Sequence, residues 1–357
     1  MTAKPMVSIP PAMLADRFKT LRYDEDEQAV IILNRRKYPF TVEYVTLRTV
    51  EAVAGAIEDM TVQGGPPLAY VAGLGLAMAA RDLSGVAHPV EHLEQVAQRL
   101  LATRPTADDL HHVVPAALRV ALDALDHDGD PFRAALDYVN SEITRGNEVS
   151  RRCGQHAARL LNDGDQVLTH CIAGAALCWM LWTAKQDGKR ITLIGAETRP
   201  YFQGARLTAA SAQEMGIPFK LITDGMSAHL MSVGKIDKFI CAADRITLDG
   251  HITNKIGTLQ HAIAAHHFGK PFYVLGYDGP DPHTATGADI PIEERDPLEV
   301  FHARGETGTV RTAIHGIDGY YPAFDITPPH LIGAICTDRG IFAPGAIREY
   351  FNMAPIE

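Results

Sequence analysis

The stretch that decides the fold is residues 166–196, QVLTHCIAGAALCWMLWTAKQDGKRITLIGA. It begins with a short apolar run at Gln166–Thr169, continues through small and apolar residues at Ala173–Lys185, and ends in a second apolar run at Ile191–Gly195. Short apolar runs predict buried strands, and the longer stretch between them predicts a helix. A strand, a helix and a second strand in this order are typical of a parallel sheet.

The same alternation continues towards the C-terminus. Further strands are predicted at Phe219–Thr223, Lys238–Ala242 and Pro271–Tyr277, and further helices at Gly204–Met215, Ala228–Val233 and Asn254–Phe268. Strands that alternate with helices through turns rich in Gly and Asp predict a parallel, doubly wound sheet.

Residues before Asn162 follow a mainly helical pattern. Short strands are predicted at Leu21–Tyr23, Ala29–Leu33 and Thr41–Tyr44, and helices at Thr49–Met60, Leu68–Ala80, Pro89–Ala102, Ala107–His127 and Pro131–Leu160. The 357 residues also exceed the ~250–300 at which single cores stop growing. We therefore predict an α/β protein with two domains, a mainly helical domain over residues 1–145 and a parallel-sheet domain over residues 146–357.

Composition and motifs exclude several function classes. The formal net charge is −10, and the short basic runs at Arg35–Lys37 and Arg151–Arg152 are typical of a solvated surface, so we expect no binding to nucleic acid. The chain has neither G-x-x-x-x-G-K-[ST] nor G-x-G-x-x-G after a strand, which leaves ATP and NAD without support.

The sequence also lacks the features of a secreted or membrane protein. No apolar run reaches the ~18–20 residues needed to cross a bilayer, and residues 1–11 do not resemble a signal peptide. The five cysteines, an odd number, are predicted to be reduced thiols and not a disulfide framework. We therefore expect a cytoplasmic protein with no membrane partner.

In doubly wound sheets, ligands bind beyond the carboxyl ends of the strands. Several residues that follow the predicted strands carry groups that can catalyse, namely His170, Cys171, Glu197, Thr198, Arg199, Asp224, Asp244, Arg245 and Asp278.

Cys171 stands at a strand end, before a small-residue turn that opens a helix. The positive end of the helix macrodipole lowers the pKa of a thiol in that position, which favours a reactive cysteine. A buried, inert cysteine is the alternative. A zinc site formed with His170 and Cys178 lacks a second ligand pair at suitable spacing, so we expect no metal site.

Asp244 ends another apolar run, where its carboxylate either takes part in catalysis or caps the next turn and pairs with Arg245. Asn254 and Lys255 then open a predicted helix. Their amide and ammonium groups, together with backbone N–H groups, suit an anionic oxygen. A simple polar helix start is the alternative.

Three further segments offer polar groups. Gln203 lies in a crowded polar segment after a strand, Arg104 precedes a helix, and Gly64 and Gly65 allow backbone amides to approach a phosphate closely. The alternatives are a solvated loop, a surface arginine and a plain turn.

Together these segments resemble one family. The motifs that carry the resemblance are, in order, Gly64-Gly65-Pro66-Pro67, Arg104-Pro105-Thr106-Ala107, Thr169-His170-Cys171-x-Ala173-Gly174-Ala175, Glu197-Thr198-Arg199-Pro200-x-x-Gln203-Gly204-Ala205-Arg206, Ala243-Asp244-Arg245-Ile246, Asn254-Lys255-Ile256-Gly257-Thr258 and Pro322-Ala323-Phe324-Asp325. Each motif is weak alone, but the ordered set resembles the methylthioribose-1-phosphate isomerases. Their superfamily also holds ribose-1,5-bisphosphate isomerase and regulatory subunits of translation initiation factor 2B.

The resemblance implies a fold, an activity and a set of site residues. It implies a Rossmann-like parallel sheet in the C-terminal domain, a mainly helical N-terminal domain with a small antiparallel sheet, a homodimer, and neither a metal nor another cofactor. It implies isomerisation of an aldose 1-phosphate to a ketose 1-phosphate, with 5-methylthioribose 1-phosphate of methionine salvage as the substrate that fits best. It assigns acid/base catalysis to Cys171 and Asp244, and substrate binding to Gln63, Gly64, Gly65, Arg104, Gln203, Asn254 and Lys255.

The chemistry explains why such a pair is needed. A furanose 1-phosphate cannot open to a free aldehyde while its phosphate stays on C1. In one route, protonated Asp244 gives a proton to the ring oxygen and the Cys171 thiolate removes the C2 proton. In the other, a hydride shifts directly from C2 to C1. Both routes need an acid with a pKa raised by a dry site, which the apolar neighbours of Asp244 favour.

Three positions depart from the family pattern. Gln63 replaces an arginine that helps to bind the phosphate, Ile172 replaces an asparagine, and Tyr321, beside Tyr320, replaces another asparagine. The bond lost at residue 63 is worth about 1.5–3 kcal/mol. Two alternatives follow. One is an isomerase of a different pentose derivative, such as 5-deoxyribose 1-phosphate, ribose 1,5-bisphosphate or an unphosphorylated analogue; the other is a non-catalytic regulatory subunit, which would not need both catalytic residues.

Overall fold

The computed structural model describes residues 8–104, 107–172 and 174–354, which form two compact units. The first, the helical unit, is Asp16–Asn147. The second, the sheet unit, comprises the described residues from Glu148 onward together with those up to Ala15. The division between the units falls inside a long helix, Pro131–Ala158.

The helical unit carries a small sheet and five helices that begin within it. Its strands and helices are β1 (Leu21–Asp24), β2 (Ala29–Leu33), β3 (Tyr44–Leu47), α1 (Val50–Glu58), α2 (Gly65–Arg81), α3 (Pro89–Leu101), α4 (Asp108–Asp126) and α5 (Pro131–Ala158). The three strands pair antiparallel in the order β1-β2-β3.

Helix α2 is the centre of this unit. Every residue from Leu68 to Ala80 is buried, as expected for a helix that is apolar on all sides. The helix begins at Gly65, three residues before the predicted start, because a proline is tolerated in the first turn, where N–H groups have no helical partner. The predicted third strand, Thr41–Tyr44, lies at Tyr44–Leu47.

The sheet unit contains most of the strands. Its elements are β4 (Gln166–Thr169), α6 (Gly174–Gln186), β5 (Thr192–Ala196), α7 (Ala209–Glu214), β6 (Phe219–Ile222), α8 (Ser227–Ser232), β7 (Lys238–Ala242), β8 (Arg245–Ile246), β9 (Ile252–Lys255), α9 (Thr258–His267), β10 (Phe272–Leu275), β11 (His302–Gly305), β12 (Gly308–Arg311), β13 (Phe324–Thr327), β14 (Ala334–Cys336) and β15 (Ile341–Phe342). Segments of 3-10 helix lie at Met13–Ala15, Asp224–Met226, Gly287–Asp289, Pro297–Phe301, Pro329–Leu331 and Pro344–Asn352, and one in the helical unit lies at Arg17–Lys19.

The main sheet has the strand order β15-β14-β10-β7-β4-β5-β6. All neighbours run parallel except β15, which is antiparallel at one edge. Counted along the chain, the six parallel strands lie in the order 3-2-1-4-5-6, the order of doubly wound sheets that bind ligands where it reverses. The prediction of an α/β fold is confirmed.

Both faces of this sheet are buried. Val167 and Ile240 lie in one apolar cluster with residues of α6 and α7, whereas the adjacent Leu168 and Phe239 lie in another with residues of α8 and α9. Successive residues of a strand point to opposite faces, so the strands need apolar residues at every position. This burial explains why continuous apolar runs predicted these strands.

Two predicted helices differ from the structure. The predicted helix Asn254–Phe268 begins only at Thr258, because Gly257 has a φ of 103° and Asn254 and Lys255 belong to β9. Strand β9 pairs antiparallel with β8 and β13. The predicted helix Gly204–Met215 begins with a π-helical turn over Gly204–Thr208.

Within the described residues, no helix has the length and apolar character that crossing a lipid bilayer requires.

Candidate active site

Cys171 and Asp244 follow the two strands at which the strand order reverses. Cys171 lies two residues beyond the end of β4, and Asp244 lies two residues beyond the end of β7. The two strands pair directly, with Val167 opposite Lys238. The crevice beyond the carboxyl ends of such a strand pair is the usual ligand site of doubly wound sheets. The fold therefore brings both predicted catalytic residues to one edge of the sheet.

The backbone of Cys171 is held in an unusual conformation. Its φ is 63°, and that of Thr198 is 65°. The Cys171 N–H donates to Oγ1 of Thr198 over 2.9 Å, and Oγ1 of Thr208 donates to the Cys171 carbonyl over 2.7 Å. Asp224 in turn accepts the N–H groups of Thr198 and Arg199, both over 2.8 Å. Left-handed non-glycine residues cost about 1–3 kcal/mol and persist where such contacts determine them.

The electrostatics at Cys171 differ from the sequence expectation. Burial raises the pKa of its thiol to about 12, and the Asp244 carboxylate acts in the same direction. The Lys255 ammonium lowers this pKa but does not outweigh burial. The expectation of a thiol pKa lowered by the helix macrodipole is therefore wrong, because desolvation of the thiolate is the larger effect. The free protein holds Cys171 as a thiol at neutral pH.

Lys255 and Asn254 lie on β9 with buried side chains. Burial lowers the pKa of Lys255, while Cys171 and Asp244 raise it. The Lys255 ammonium lies 4.3 Å from the centroid of the Phe324 ring. Asn254 Nδ2 donates to Oγ1 of Thr258 over 2.9 Å. Cys171, Asp244 and Lys255 thus form one electrostatically coupled group.

Asp244 does not lie in the dry environment expected from its apolar neighbours. The residue is exposed, and its backbone N–H donates to the Thr253 carbonyl over 2.8 Å. The apolar residues before it belong to β7 and face into the sheet, whereas the carboxylate extends beyond the strand end. Arg245 Nη1 lies 3.2 Å from Oγ1 of Thr284 and 3.8 Å from Asp281.

Gln203 presents a buried amide next to the π-helical turn. Only 4% of the residue is exposed, and its Oε1 atom has no hydrogen-bond partner among the described residues. The following residue must be glycine, because a Cβ on Gly204 would lie 1.8 Å from the Ala196 carbonyl oxygen. A buried acceptor without a donor costs about 1–3 kcal/mol, so it is a candidate for ligand binding.

The other predicted binding residues belong to the helical unit. Gly64, with a φ of 94°, precedes α2, and a Cβ on Gly65 would lie 2.3 Å from Asp109 Oδ2. Arg104 Nη1 lies 3.0 Å from the Met60 sulfur. Pro105 and Thr106 of the same motif lie outside the described residues.

Gln63 lies beside a cation that the sequence analysis assigned to the surface. The residue is 2% exposed, its Nε2 donates to the Met60 carbonyl over 3.0 Å, and its Oε1 has no partner among the described residues. Arg35 Nη1 donates to the Gln63 carbonyl. Arg35 is buried, and burial together with the neighbouring Arg17 lowers its pKa to about 10. The interpretation of Arg35 as a solvated residue is wrong, and its position in a basic run gave no signal of burial.

Sequence reasoning also missed the environment of His170. His170, Asp224 and His261 each place one potential metal-ligand atom within 4.8 Å of the others. His261 is buried, and its Nε2 lies 3.3 Å from Nδ1 of His170. No local signal relates two residues separated by 91 positions.

The positions that depart from the family pattern have different environments. Ile172 is half-buried. Tyr321 is buried, burial raises the pKa of its hydroxyl, and that hydroxyl has no partner within the described part of the chain. The side chain of Tyr320 is 92% exposed.

Comparison with known proteins identifies relatives over nearly the whole chain. Residues 61–344 match the model of the initiation factor 2 subunit family. The chain is 38% identical to methylthioribose-1-phosphate isomerase from Thermosipho africanus over 342 residues, 92% of this chain and 96% of that protein. It is also 38% identical to the enzyme of the same name from Thermus thermophilus, with the same coverage.

Solved structures of two kinds share the fold. One is 5-methylthioribose 1-phosphate isomerase from Pyrococcus horikoshii, with a TM-score of 0.79 and 33% identity over 93% of this chain and 95% of that one. The other is the delta subunit of translation initiation factor eIF-2B from A. fulgidus, with a TM-score of 0.76 and 32% identity over 94% of this chain and 99% of that one.

Proposed function

The chain belongs to the initiation factor 2 subunit family and, within it, to the methylthioribose-1-phosphate isomerases, and from this premise we propose that it converts 5-methylthioribose 1-phosphate to 5-methylthioribulose 1-phosphate. The observation that carries the proposal is the placement of Cys171 and Asp244 after the adjacent strands β4 and β7. The enol route needs two proton-handling groups beside C1 and C2, whereas the hydride route needs one, Asp244, and leaves the Cys171 thiol to hold the substrate beside it; this edge of the sheet serves either route.

In the proposed reaction, the bound substrate covers the carboxyl of Asp244, which is exposed in the free protein, and Asp244 then acts first as an acid. It gives a proton to the ring oxygen while the bond from C1 to that oxygen breaks, which leaves a cation at C1. A hydride then moves with its electron pair from C2 to C1, and the C2 hydroxyl returns its proton to Asp244 as the ketone forms. The raised pKa of Cys171 favours this route, because a thiol is not required to ionise. In the alternative route, the Cys171 thiolate removes the C2 proton and an enol forms.

The polar groups around the pair have proposed binding roles. Lys255 supplies a buried cation beside Cys171, and Gln203 supplies an amide oxygen that is ready to accept a hydroxyl. Asn254, which precedes Lys255 on β9, binds Thr258 at the start of α9 and so helps to hold the strand end in place. In the helical unit, we propose that substrate contacts involve Gln63, Gly64, Gly65 and Arg104; the start of α2 and the adjacent cation support an anionic group there.

The experiment that tests the function is a proton NMR assay of the purified protein with 5-methylthioribose 1-phosphate. We expect the ketose phosphate to appear with the wild type and not with Cys171→Ser or Asp244→Asn. Cys178→Ala, which removes a buried thiol inside α6, and Asp187→Asn, which removes an exposed carboxylate, are the matched controls and remain active. Full turnover by either site variant would contradict the assigned roles.

A second candidate keeps the chemistry and changes the substrate. The neutral Gln63 favours it, since a phosphate loses one charged contact there. Assays of 5-deoxyribose 1-phosphate, ribose 1,5-bisphosphate and unphosphorylated methylthioribose decide between these substrates. Absence of turnover with all of them, together with binding, would favour a regulatory subunit, a role that the similarity to the A. fulgidus delta subunit supports.

Assembly and location complete the proposal. We propose a homodimer, which sedimentation analysis tests through the mass of the particle in solution. The five cysteines are free thiols, which suits the reducing cytoplasm proposed as the location.

A further inference from the structure

The imidazole of His170, the residue before Cys171, pairs with a second buried imidazole, that of His261. His170 Nε2 lies 2.9 Å from the carbonyl oxygen of Ile256. A carbonyl oxygen only accepts, so Nε2 of His170 carries the hydrogen atom. Burial lowers the pKa of His170, although Asp224 raises it, and the ring is therefore neutral at pH 7. Its Nδ1 atom is consequently an acceptor.

The second imidazole fixes the direction of a longer chain. Nε2 of His261 lies 3.3 Å from Nδ1 of His170. Since Nδ1 of His170 accepts, Nε2 of His261 donates, and Nδ1 of the neutral His261 ring accepts in turn. Oγ of Ser227 lies 2.7 Å from that atom and donates to it. The hydrogen bonds then run from Ser227 through His261 and His170 to the Ile256 carbonyl.

This chain of hydrogen bonds connects the turn at Cys171 with the turn at Lys255–Gly257. His170 precedes Cys171, and Ile256 follows Lys255. The contact with the second turn is close, since a Cβ on Gly257 would lie 3.1 Å from Nε2 of His170. His170 also packs edge to face against the buried ring of His261, with 4.8 Å between the ring centroids.

We propose that Ser227, His261 and His170 form a directed hydrogen-bond chain that holds the Lys255–Gly257 turn against Cys171, which makes His261 a positioning residue for the isomerase. This role rests on the proposed function. The ring of His261 does not contact the reacting groups in this account. It fixes the tautomer and orientation of His170, and thereby the distance between the Lys255 ammonium and the Cys171 thiol.

The competing arrangement is a metal site. His170, His261 and Asp224 then present one lone pair each, with 3.8 Å between His170 Nδ1 and Asp224 Oδ1. That arrangement requires the hydrogen atom of His261 on Nδ1, directed at Ser227, because a metal ligand has no hydrogen. The two arrangements therefore differ in the tautomer of one histidine.

The first measurement is nitrogen-15 NMR of the full protein labelled at histidine, together with metal analysis of the same sample. The proposal expects the hydrogen atom on Nε2 in both His170 and His261, and no stoichiometric metal. Either of two results overturns it: a hydrogen atom on Nδ1 of His261, or one equivalent of a divalent metal whose removal or addition changes the signals of both histidines.

The second measurement compares His261→Leu with His261→Gln, whose amide can both accept and donate. We expect His261→Leu to lower kcat by about 10–100-fold with little change in KM, and His261→Gln to recover part of the loss. Alkylation of Cys171, followed by peptide mass spectrometry, should slow in His261→Leu and recover in His261→Gln, since Lys255 no longer assists the thiolate in the leucine variant. If the leucine and glutamine variants have the same alkylation rate and the same kcat, the proposal is overturned.

The alkylation and tautomer measurements need no substrate. If the wild type converts no sugar phosphate while both measurements give the expected result, the proposed function fails and the hydrogen-bond chain stands.

Discussion

The backbone N–H of Cys171 donates to Oγ1 of Thr198 over 2.9 Å, and both residues have a positive φ. The hydroxyl that receives this N–H is fully buried. Because Asp224 accepts the N–H of Thr198, residues at the end of the neighbouring strand β5 hold the backbone conformation at Cys171. The position of the thiol therefore depends on residues 27 positions away in the sequence.

Thr198→Val tests this relationship. Valine has nearly the same shape, but it leaves the Cys171 N–H without its acceptor, at a cost of about 1–3 kcal/mol. We expect the free energy of unfolding to fall by that amount and kcat to fall about 10–100-fold, since a small displacement of a catalytic group is costly. Thr198→Ser keeps the hydroxyl and should remain active. A valine variant with wild-type kcat would show that this bond does not position the thiol.

The ionisation of Cys171 gives a second prediction. Burial raises the pKa of the thiol to about 12, so the thiolate fraction is small at neutral pH. We expect its alkylation by iodoacetamide to accelerate continuously from pH 7 to above pH 9 without reaching a plateau. Lys255→Met removes the cation that lowers this pKa and should slow the reaction at every pH; Lys235→Met, at an exposed position, should not. A plateau below pH 8 would contradict the raised pKa.

The sequence predicted the parts of the site that lie on continuous apolar strands. The bounds of β4 and β7 agree with the prediction at every residue, because strands buried on both faces are apolar throughout. Their ends locate Cys171 and Asp244 directly. Helix α6 was predicted within one residue at each end for the same reason.

The sequence did not predict features that depend on distant pairing. Asn254 and Lys255 form a buried strand only because β13, about seventy residues later, pairs with them, and a polar strand gives no apolar signal. The burial of Arg35 depends on the Gln63 turn, and the contact between His170 and His261 depends on α9 packing against β7, the strand beside β4. Tertiary contacts of this kind override local patterns.

The reaction route gives a third prediction. A hydride shift carries the hydrogen atom of C2 to C1 without contact with solvent, whereas an enol exchanges it. With substrate deuterated at C2, we expect the label to be retained at C1 of the ketose phosphate, as measured by deuterium NMR. Reaction of unlabelled substrate in D₂O is the control and should introduce no deuterium. Loss of label to water would assign a thiolate base to Cys171 and reject the hydride route.

Asp325 gives a prediction about pH and stability. Its carboxylate accepts the N–H groups of Gly257 and Leu259 at the start of α9, yet burial raises its pKa to about 6. A group with a folded-state pKa above its unfolded value of 3.8 stabilises the fold fully below that value, and the contribution is lost as the pH rises through about 6. Wild type should therefore lose up to about 3 kcal/mol relative to Asp325→Asn between pH 4 and pH 7.

Urea unfolding of both proteins across this range measures the difference. Asp289→Asn, in which the replaced carboxylate caps an exposed 3-10 turn, is the control and should show no comparable slope. Parallel curves for wild type and Asp325→Asn would show that the carboxyl has an ordinary pKa in the folded protein.

The last prediction concerns which of two positions, residue 35 or residue 63, can carry a positive charge. The resemblance implies an arginine at the position of Gln63, but here a guanidinium already donates to the carbonyl of that residue. Arg35 is buried, and burial and the nearby Arg17 lower its pKa to about 10, so a further buried cation meets an unfavourable potential. We expect Gln63→Arg to lower the free energy of unfolding by about 3–5 kcal/mol, the cost of an uncompensated buried charge.

The double variant Arg35→Gln/Gln63→Arg moves the cation instead of adding one, and we expect it to recover most of that loss in urea unfolding. Gln63→Met, which is similar in size and uncharged, separates the effect of charge from that of volume and should cost less than Gln63→Arg. If the double variant were no more stable than Gln63→Arg, repulsion by Arg35 would not be what excludes an arginine at residue 63. Recovery in the double variant would instead show that Gln63 is tolerated because Arg35 already supplies the positive charge of this turn.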